Sequence, residues 1–214
     1  MSDETGAVPL EPEPAAAAGL FGDRIDQARA FTSNLATHGE ELGLIGPLEL
    51  PRLWSRHILN CAIMAPLLRP GRVGDIGSGA GLPGLVLAIA RPDVSMVLIE
   101  PMERRVAWLE SQAAELGLEN VTVVRARAEE ARITPLLDQV TARAVSALRT
   151  LIPLTVPLVR TGGELLLMKG ASVEREIEAA EKVIRKNHLV DLEVLVLGEG
   201  VLGEVTRVVR ATVD

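Results

Sequence analysis

Apolar positions along the chain change their period near residue 70. From Phe21 to about Leu68 they recur at helical spacing, as at Ile25, Ala28, Phe31 and Leu35, with breaks near Gly43 to Gly46 and at Pro47 and Pro51. This pattern predicts several helices, closed by Pro70 and Gly71. Beyond them, short β-branched runs alternate with helical stretches. Strands are expected at Arg72–Ile76, Ser95–Glu100, Val121–Arg125, Gln139–Val145 and Gly163–Lys169. Helices are expected at Gly84–Ala90, Glu103–Leu116, Leu148–Leu158 (weakened by Pro153 and Pro157) and Val173–His188. The last carries Val173, Ile177, Ala180 and Ile184 on one face, and two glutamate–cation pairs at i,i+4 on the other. Two final strands, Val190–Leu197 and Glu204–Thr212, flank Gly198, Gly200 and Gly203, a connection suited to a hairpin.

Strands that alternate with helices predict an α/β fold. Here that means a mostly parallel seven-stranded sheet, helices on both faces, and a C-terminal antiparallel hairpin. Three regions follow: an acidic tail over 1–20, a helical extension over 21–70, and the sheet domain over 71–214. The tail is rich in Pro, Ala, Glu and Gly, so it is expected to be disordered and its removal to be tolerated.

Composition narrows the function classes. With 214 residues, 48% of them apolar, the chain can bury a sizeable core. No apolar run approaches the ~20 residues of a membrane span, and the N-terminus lacks the pattern of a secretory signal. One cysteine and three histidines offer neither a disulfide nor a metal cluster, so a cytoplasmic protein without metal is expected. The net charge of −7 opposes a nucleic-acid partner, but it is uneven. Residues 1–23 hold five acids and no Lys or Arg, which leaves the rest of the chain at only −2. Leu50 to Gly74 contains no acid but Arg52, Arg56, Arg69 and Arg72; Gln139 to Gly163 contains none but Arg143, Arg149 and Arg160. Such stretches are expected to form local basic surfaces for an anionic substrate.

The chemistry centres on the turn from Asp75 to Gly84, which follows a predicted strand and opens a predicted helix. Gly77, Gly79 and Gly81 let the backbone turn tightly against a ligand, and Glu100, ending the next strand, stands where an acid can hold the ribose hydroxyls of an adenosine. Gly79, Gly81 and Gly84 would equally suit a dinucleotide. Asp75 favours S-adenosylmethionine: at the strand end facing the crevice, a carboxylate repels a pyrophosphate but suits a sulfonium and an amino group. The chain has no tyrosine and hence no Tyr-x-x-x-Lys dehydrogenase pair. Cys61 lies in an apolar stretch far from the fourth strand, unlike a cytosine-attacking thiolate, and no Asn/Asp-Pro-Pro-aromatic motif follows that strand. An acceptor with an exposed lone pair, such as guanine N7, needs alignment rather than a base. A small molecule or a protein as acceptor, or a cofactor-binding module without catalysis, stays open on these grounds.

Arg56–Asn60, Asp75–Gly84, Arg91–Pro92, Glu103–Val106, Thr141–Ala144 and Met168–Gly170 occur in order at suitable spacing. As a set they resemble the bacterial small-subunit ribosomal RNA guanine-N7 methyltransferase family, also called glucose-inhibited division protein B, over about Pro51 to Val209. The resemblance implies a class I, Rossmann-like methyltransferase fold with a helical N-terminal extension. It further implies methylation of guanine 527 (usual rRNA numbering) of 16S rRNA near the decoding site, within the small ribosomal subunit. It places Gly77 and Leu82 on the cofactor, Ala128 and Glu129 around its adenine, and Arg143, as the catalytic residue, between cofactor and substrate. Arg56, His57 and Lys169 are its candidates for RNA contact. Gly46 to Trp54 departs from the family pattern by lacking an aromatic- and asparagine-rich run, which leaves N-terminal RNA contacts unassigned.

Overall fold

A computed structural model describes residues 8–214. Of the tail expected to be disordered over 1–20, residues 1–7 lie outside them and residues 8–20 lie against the extension. Glu11 donates its N–H to the Leu50 carbonyl at 2.9 Å and accepts the Ser55 N–H on its carboxylate at 2.9 Å. Glu13 pairs with Arg29 at 2.7 Å, and α1 (Ala16–Phe21) buries Ala17 and Phe21. Glu11 and Glu13, two acids of this stretch, are the groups that fasten it.

The extension continues through α2 (Ile25–His38), whose apolar face buries Ala28, Phe31 and Leu35 as its period predicts. After the Pro47–Pro51 break, residues Leu53–Leu59 wind as a π-helix and run directly into the short α3 (Asn60–Ala62). Helical apolar spacing announces a helix here but not its wider winding, a form that often marks a functional site.

The sheet comprises β1 (Arg72–Ile76), β2 (Ser95–Ile99), β3 (Val121–Val124), β4 (Leu137–Arg143), β5 (Val159–Lys169), β6 (Leu189–Leu197) and β7 (Thr206–Val213). Their order is β3-β2-β1-β4-β5-β7-β6, with the first five parallel and β7 running antiparallel between β5 and β6. The closing hairpin is therefore present, with its second strand inserted between its first and the parallel sheet. Helices α4 (Gly84–Ala90), α5 (Glu103–Glu115), α6 (Leu148–Thr155) and α7 (Val173–Lys186) make the crossovers. Pro153 does not stop α6, because Leu148, Leu151, Ile152 and Thr155 bury its inner face.

Two apolar clusters sandwich the sheet. One joins α4 and α5 to the extension, so that Phe31, Leu53 and Ile58 pack in the same body as Leu85, Leu87 and Met96. The other holds α6 and α7 against β4 and β5. Each fully buried large apolar side chain contributes about 1.5–3 kcal/mol. Anchoring of this kind fixes the extension over the C-terminal ends of β1 and β4, where the strand order reverses and α/β sheets open a crevice. Among the described residues no helix is long and apolar enough to cross a membrane.

Candidate active site

β1 ends in the glycine turn. Gly77 adopts φ 68° and donates its N–H to the Ile99 carbonyl of β2 at 2.8 Å. A Cβ on Gly77 would approach Val145 to 3.0 Å, so the glycine keeps the floor of the crevice open. A Cβ on Gly84 would lie 2.6 Å from the Asp75 carboxylate, and its absence lets α4 sit directly on the strand. Trp108 donates its indole N–H to the Ala80 carbonyl at 3.0 Å and pins the turn from behind.

Asp75 is not where the charge argument placed it. Its carboxyl is fully buried beneath the turn, where Oδ2 accepts the Gly84 N–H at 3.0 Å and Oδ1 has no partner. Burial pushes its pKa up to about 7. Strand alternation fixes this outcome, since the side chain points to the face that α4 covers. Glu100 is likewise buried; it accepts the N–H groups of Gly79 and Met102, each at 3.0 Å, and ties the turn to the end of β2.

Two cavities open beside these groups. The smaller, about 310 Å³, is lined by Gly77, Gly79 and Leu82 of the turn, by Glu49 and His57 of the extension, and by Arg105. The larger, about 960 Å³, is lined by Arg56, Asn60, Lys169, Glu204, Thr206 and Arg207, among others. Arg143 and Ala144, at the end of β4, line both. Ala144 takes φ 54°, a left-handed conformation that costs a residue with a Cβ and that recurs at functional sites.

Arg143 sits at this partition but is bound inward. Its Nη2 donates to the Arg56 carbonyl at 3.1 Å and to His57 Nδ1 at 2.9 Å; its Nη1 reaches the Cys61 thiol at 3.3 Å and the His57 carbonyl at 3.5 Å. His57 Nε2 lies 2.6 Å from Glu49, which Arg52 also holds at 2.6 Å. Burial, with the Arg143 and Arg56 charges, pulls the His57 pKa below the usual histidine value against the pull of Glu49. Burial pushes the Cys61 thiol up, consistent with its reading as a small apolar residue.

The remaining candidates divide. Lys169 is nearly buried, donates to the Ser146 carbonyl at 2.6 Å and pairs with Glu176 at 2.9 Å. Its charge is paired with Glu176 of α7 and its ammonium also holds the loop after β4, rather than being offered to a phosphate. Arg56 is exposed at the rim and pairs with Glu204 at 3.2 Å. Ala128 and Glu129 lie in the turn Ala128–Glu130 after β3, and Gly81 lies in the glycine turn; none of the three is on the wall of either cavity. The acid-free stretches do not remain acid-free in space: Arg52 meets Glu49, Arg69 meets Glu164, and Arg160 meets Asp138. Two contributors carry little signal in the sequence: Glu49, marked only as the last acid before the acid-free run, and Trp108, buried yet tied to the turn by its indole hydrogen bond. Among the described residues no cluster of His, Cys, Asp and Glu could hold a metal.

The fold aligns with solved methyltransferase structures of low sequence identity. TYW2 of M. jannaschii, solved in complex with AdoMet, matches with a TM-score of 0.59 at 22% identity, covering 76% of this chain and 78% of that one. The tRNA (m1A58) methyltransferase TrmI of Aquifex aeolicus matches with a TM-score of 0.57 at 14% identity, covering 72% and 68%. The class is thus the Rossmann-like S-adenosylmethionine-dependent methyltransferase fold. Residues 24–204 match the GidB family, rRNA small subunit methyltransferase G. A curated relative named ribosomal RNA small subunit methyltransferase G, from Leifsonia xyli subsp. xyli, is 73% identical over 95% of this chain and 98% of its own. One of the same name from Corynebacterium glutamicum is 50% identical over 92% and 90%. The chain belongs to the rRNA small subunit methyltransferase G family.

Proposed function

We propose that the chain transfers the methyl group of S-adenosylmethionine to N7 of guanine 527 of 16S rRNA within the small ribosomal subunit, in the compartment where ribosomes assemble. The observation that carries this reading is the pair of cavities sharing one wall at Arg143 and Ala144, at the topological switch point of the sheet. The smaller fits the cofactor: Gly77 leaves room a Cβ would fill, Leu82 offers an apolar wall, and Arg105 brings a buried, unpartnered Nε. When bound, S-adenosylmethionine supplies a methyl group on a positively charged sulfur.

The chain's own residues do the aligning. Gly77, Gly79 and Leu82 receive the cofactor, Glu100 and Trp108 hold the turn rigid, and Arg143 with Ala144 separates donor from acceptor. Among the described residues no free general base faces the partition: both His57 nitrogens are engaged, and Asp75 is sealed beneath the turn. An acceptor such as guanine N7, whose lone pair needs no deprotonation, suits a site of this kind. Exposed Arg56 and half-buried Arg207 at the rim of the larger cavity suit an RNA backbone. Incubation with tritiated cofactor and small subunits from cells lacking the protein tests the reading. Label in 16S rRNA is expected; label confined to a protein or small molecule would overturn it.

A further inference from the structure

Glu49, His57 and Arg143 form one hydrogen-bonded chain from the extension to the end of β4. A guanidinium carries donors only. Arg143 Nη2 therefore makes His57 Nδ1 an acceptor, and the ring proton lies on Nε2, donated to Glu49. Arg52 grips the same carboxylate through Nε at 3.0 Å and Nη2 at 2.6 Å, which fixes Glu49 in turn. The four Nη hydrogens of Arg143 meet four acceptors, all between Arg56 and Cys61.

We propose that Glu49 and His57 are positioning residues for methyl transfer: they hold the Arg143 guanidinium in place at the partition between the two cavities, and only while His57 is neutral. This rests on the reading that transfer occurs across that partition. A second proton on His57 has only Nδ1 to occupy. It removes the acceptor for Arg143 and sets two cations at hydrogen-bond distance. The charged and titratable groups facing the imidazole are Glu49, with Arg52 behind it, Arg143, Arg56 and the Cys61 thiol. Of these, Glu49 alone favours the protonated ring.

The test measures kcat and KM for small subunits across roughly pH 5 to 8.5, with cofactor affinity measured by calorimetry. In the wild type, kcat falls on an acid limb lying below the ordinary histidine value of 6.5. His57→Ala lowers kcat at the alkaline end about 10-fold, with KM and cofactor affinity within about threefold. His57→Asn puts a non-titrating oxygen in place of Nδ1, so it recovers most of the loss and removes this limb. Glu49→Gln keeps an acceptor for Nε2–H but deletes the anion, so the limb moves to lower pH. Asp75 titrates in the same range behind the turn, and the readout is therefore the difference between profiles. An acid limb of wild-type shape in His57→Asn would overturn the proposal, as would a kcat in His57→Ala within about twofold of wild type. Should His57→Ala fail to fold, His57→Asn and Glu49→Gln decide. Absence of transfer by the wild type would overturn the rRNA reading and this role together; a flat variant series on an active wild type overturns only the role.

Discussion

Asp75 is fully buried and His57 half-buried, both feel the Arg143 charge, and burial moves their pKa values in opposite directions. The Asp75 carboxyl rises from 3.8 to about 7, so between those values the folded chain binds a proton that the unfolded chain has lost. Its contribution to stability is full below the unfolded value and is lost as pH rises through the folded one. His57 is lowered from 6.5, so its neutral form is favoured in the fold and its contribution is lost as pH falls below 6.5. Asp75→Asn keeps an acceptor for Gly84, and it should therefore gain stability relative to wild type as pH rises from 4 to 8. Urea denaturation along that pH series checks this, and parallel curves would refute it. Trp108→Phe leaves the Ala80 carbonyl without its donor and should cost about 1–3 kcal/mol, together with weaker cofactor binding. An unchanged denaturation midpoint would remove Trp108 from the support of the turn.

At the scale of elements, what local spacing encodes was legible and what long-range pairing decides was not. The β1, turn and α4 unit could be read because glycine positions and a following apolar helix are local signals. β5 begins at Val159, four residues before its expected start, because Val159 already pairs with Leu137 of β4, ahead of a register shift that brings Glu164 opposite Gln139. The N-terminal strap was invisible for the same reason: Glu11 meets Ser55 across 44 residues. By accepting that N–H, Glu11 caps the π-helix that carries Arg56 and His57. Glu11→Ala should cost about 1 kcal/mol, and removal of residues 1–20 should lower transfer rather than spare it. Full activity of the truncated chain would contradict the strap's role. Arg143→Ala is likewise no clean probe of chemistry, since it unties residues 56–61 from β4. The calorimetric unfolding temperature of that variant should fall along with its activity.

Over the whole molecule, topology places the site and charge governs its partner. Reversal of strand order between β1 and β4 opens one crevice, and the extension roofs it, so the cofactor and acceptor sides were legible as a region before any contact was known. The electrostatic surface was not legible, because acids outside the acid-free stretches neutralise their arginines: Glu164 meets Arg69 and Asp138 meets Arg160 from afar, and Glu49 meets Arg52 from just before the run. A chain of net charge −7 with four aromatic residues has little with which to hold free RNA. Binding to assembled subunits should exceed binding to naked 16S rRNA and weaken as salt rises, with a shallow slope set by few phosphate contacts. Filter binding across a salt series measures both.

The central claim is tested most directly by identifying the methylated nucleoside. Small subunits from cells lacking the protein are incubated with it and labelled cofactor, and their 16S rRNA is digested and resolved by mass and retention. The account predicts one labelled nucleoside, 7-methylguanosine. Label in any other nucleoside, or none while calorimetry finds the cofactor bound, would contradict it.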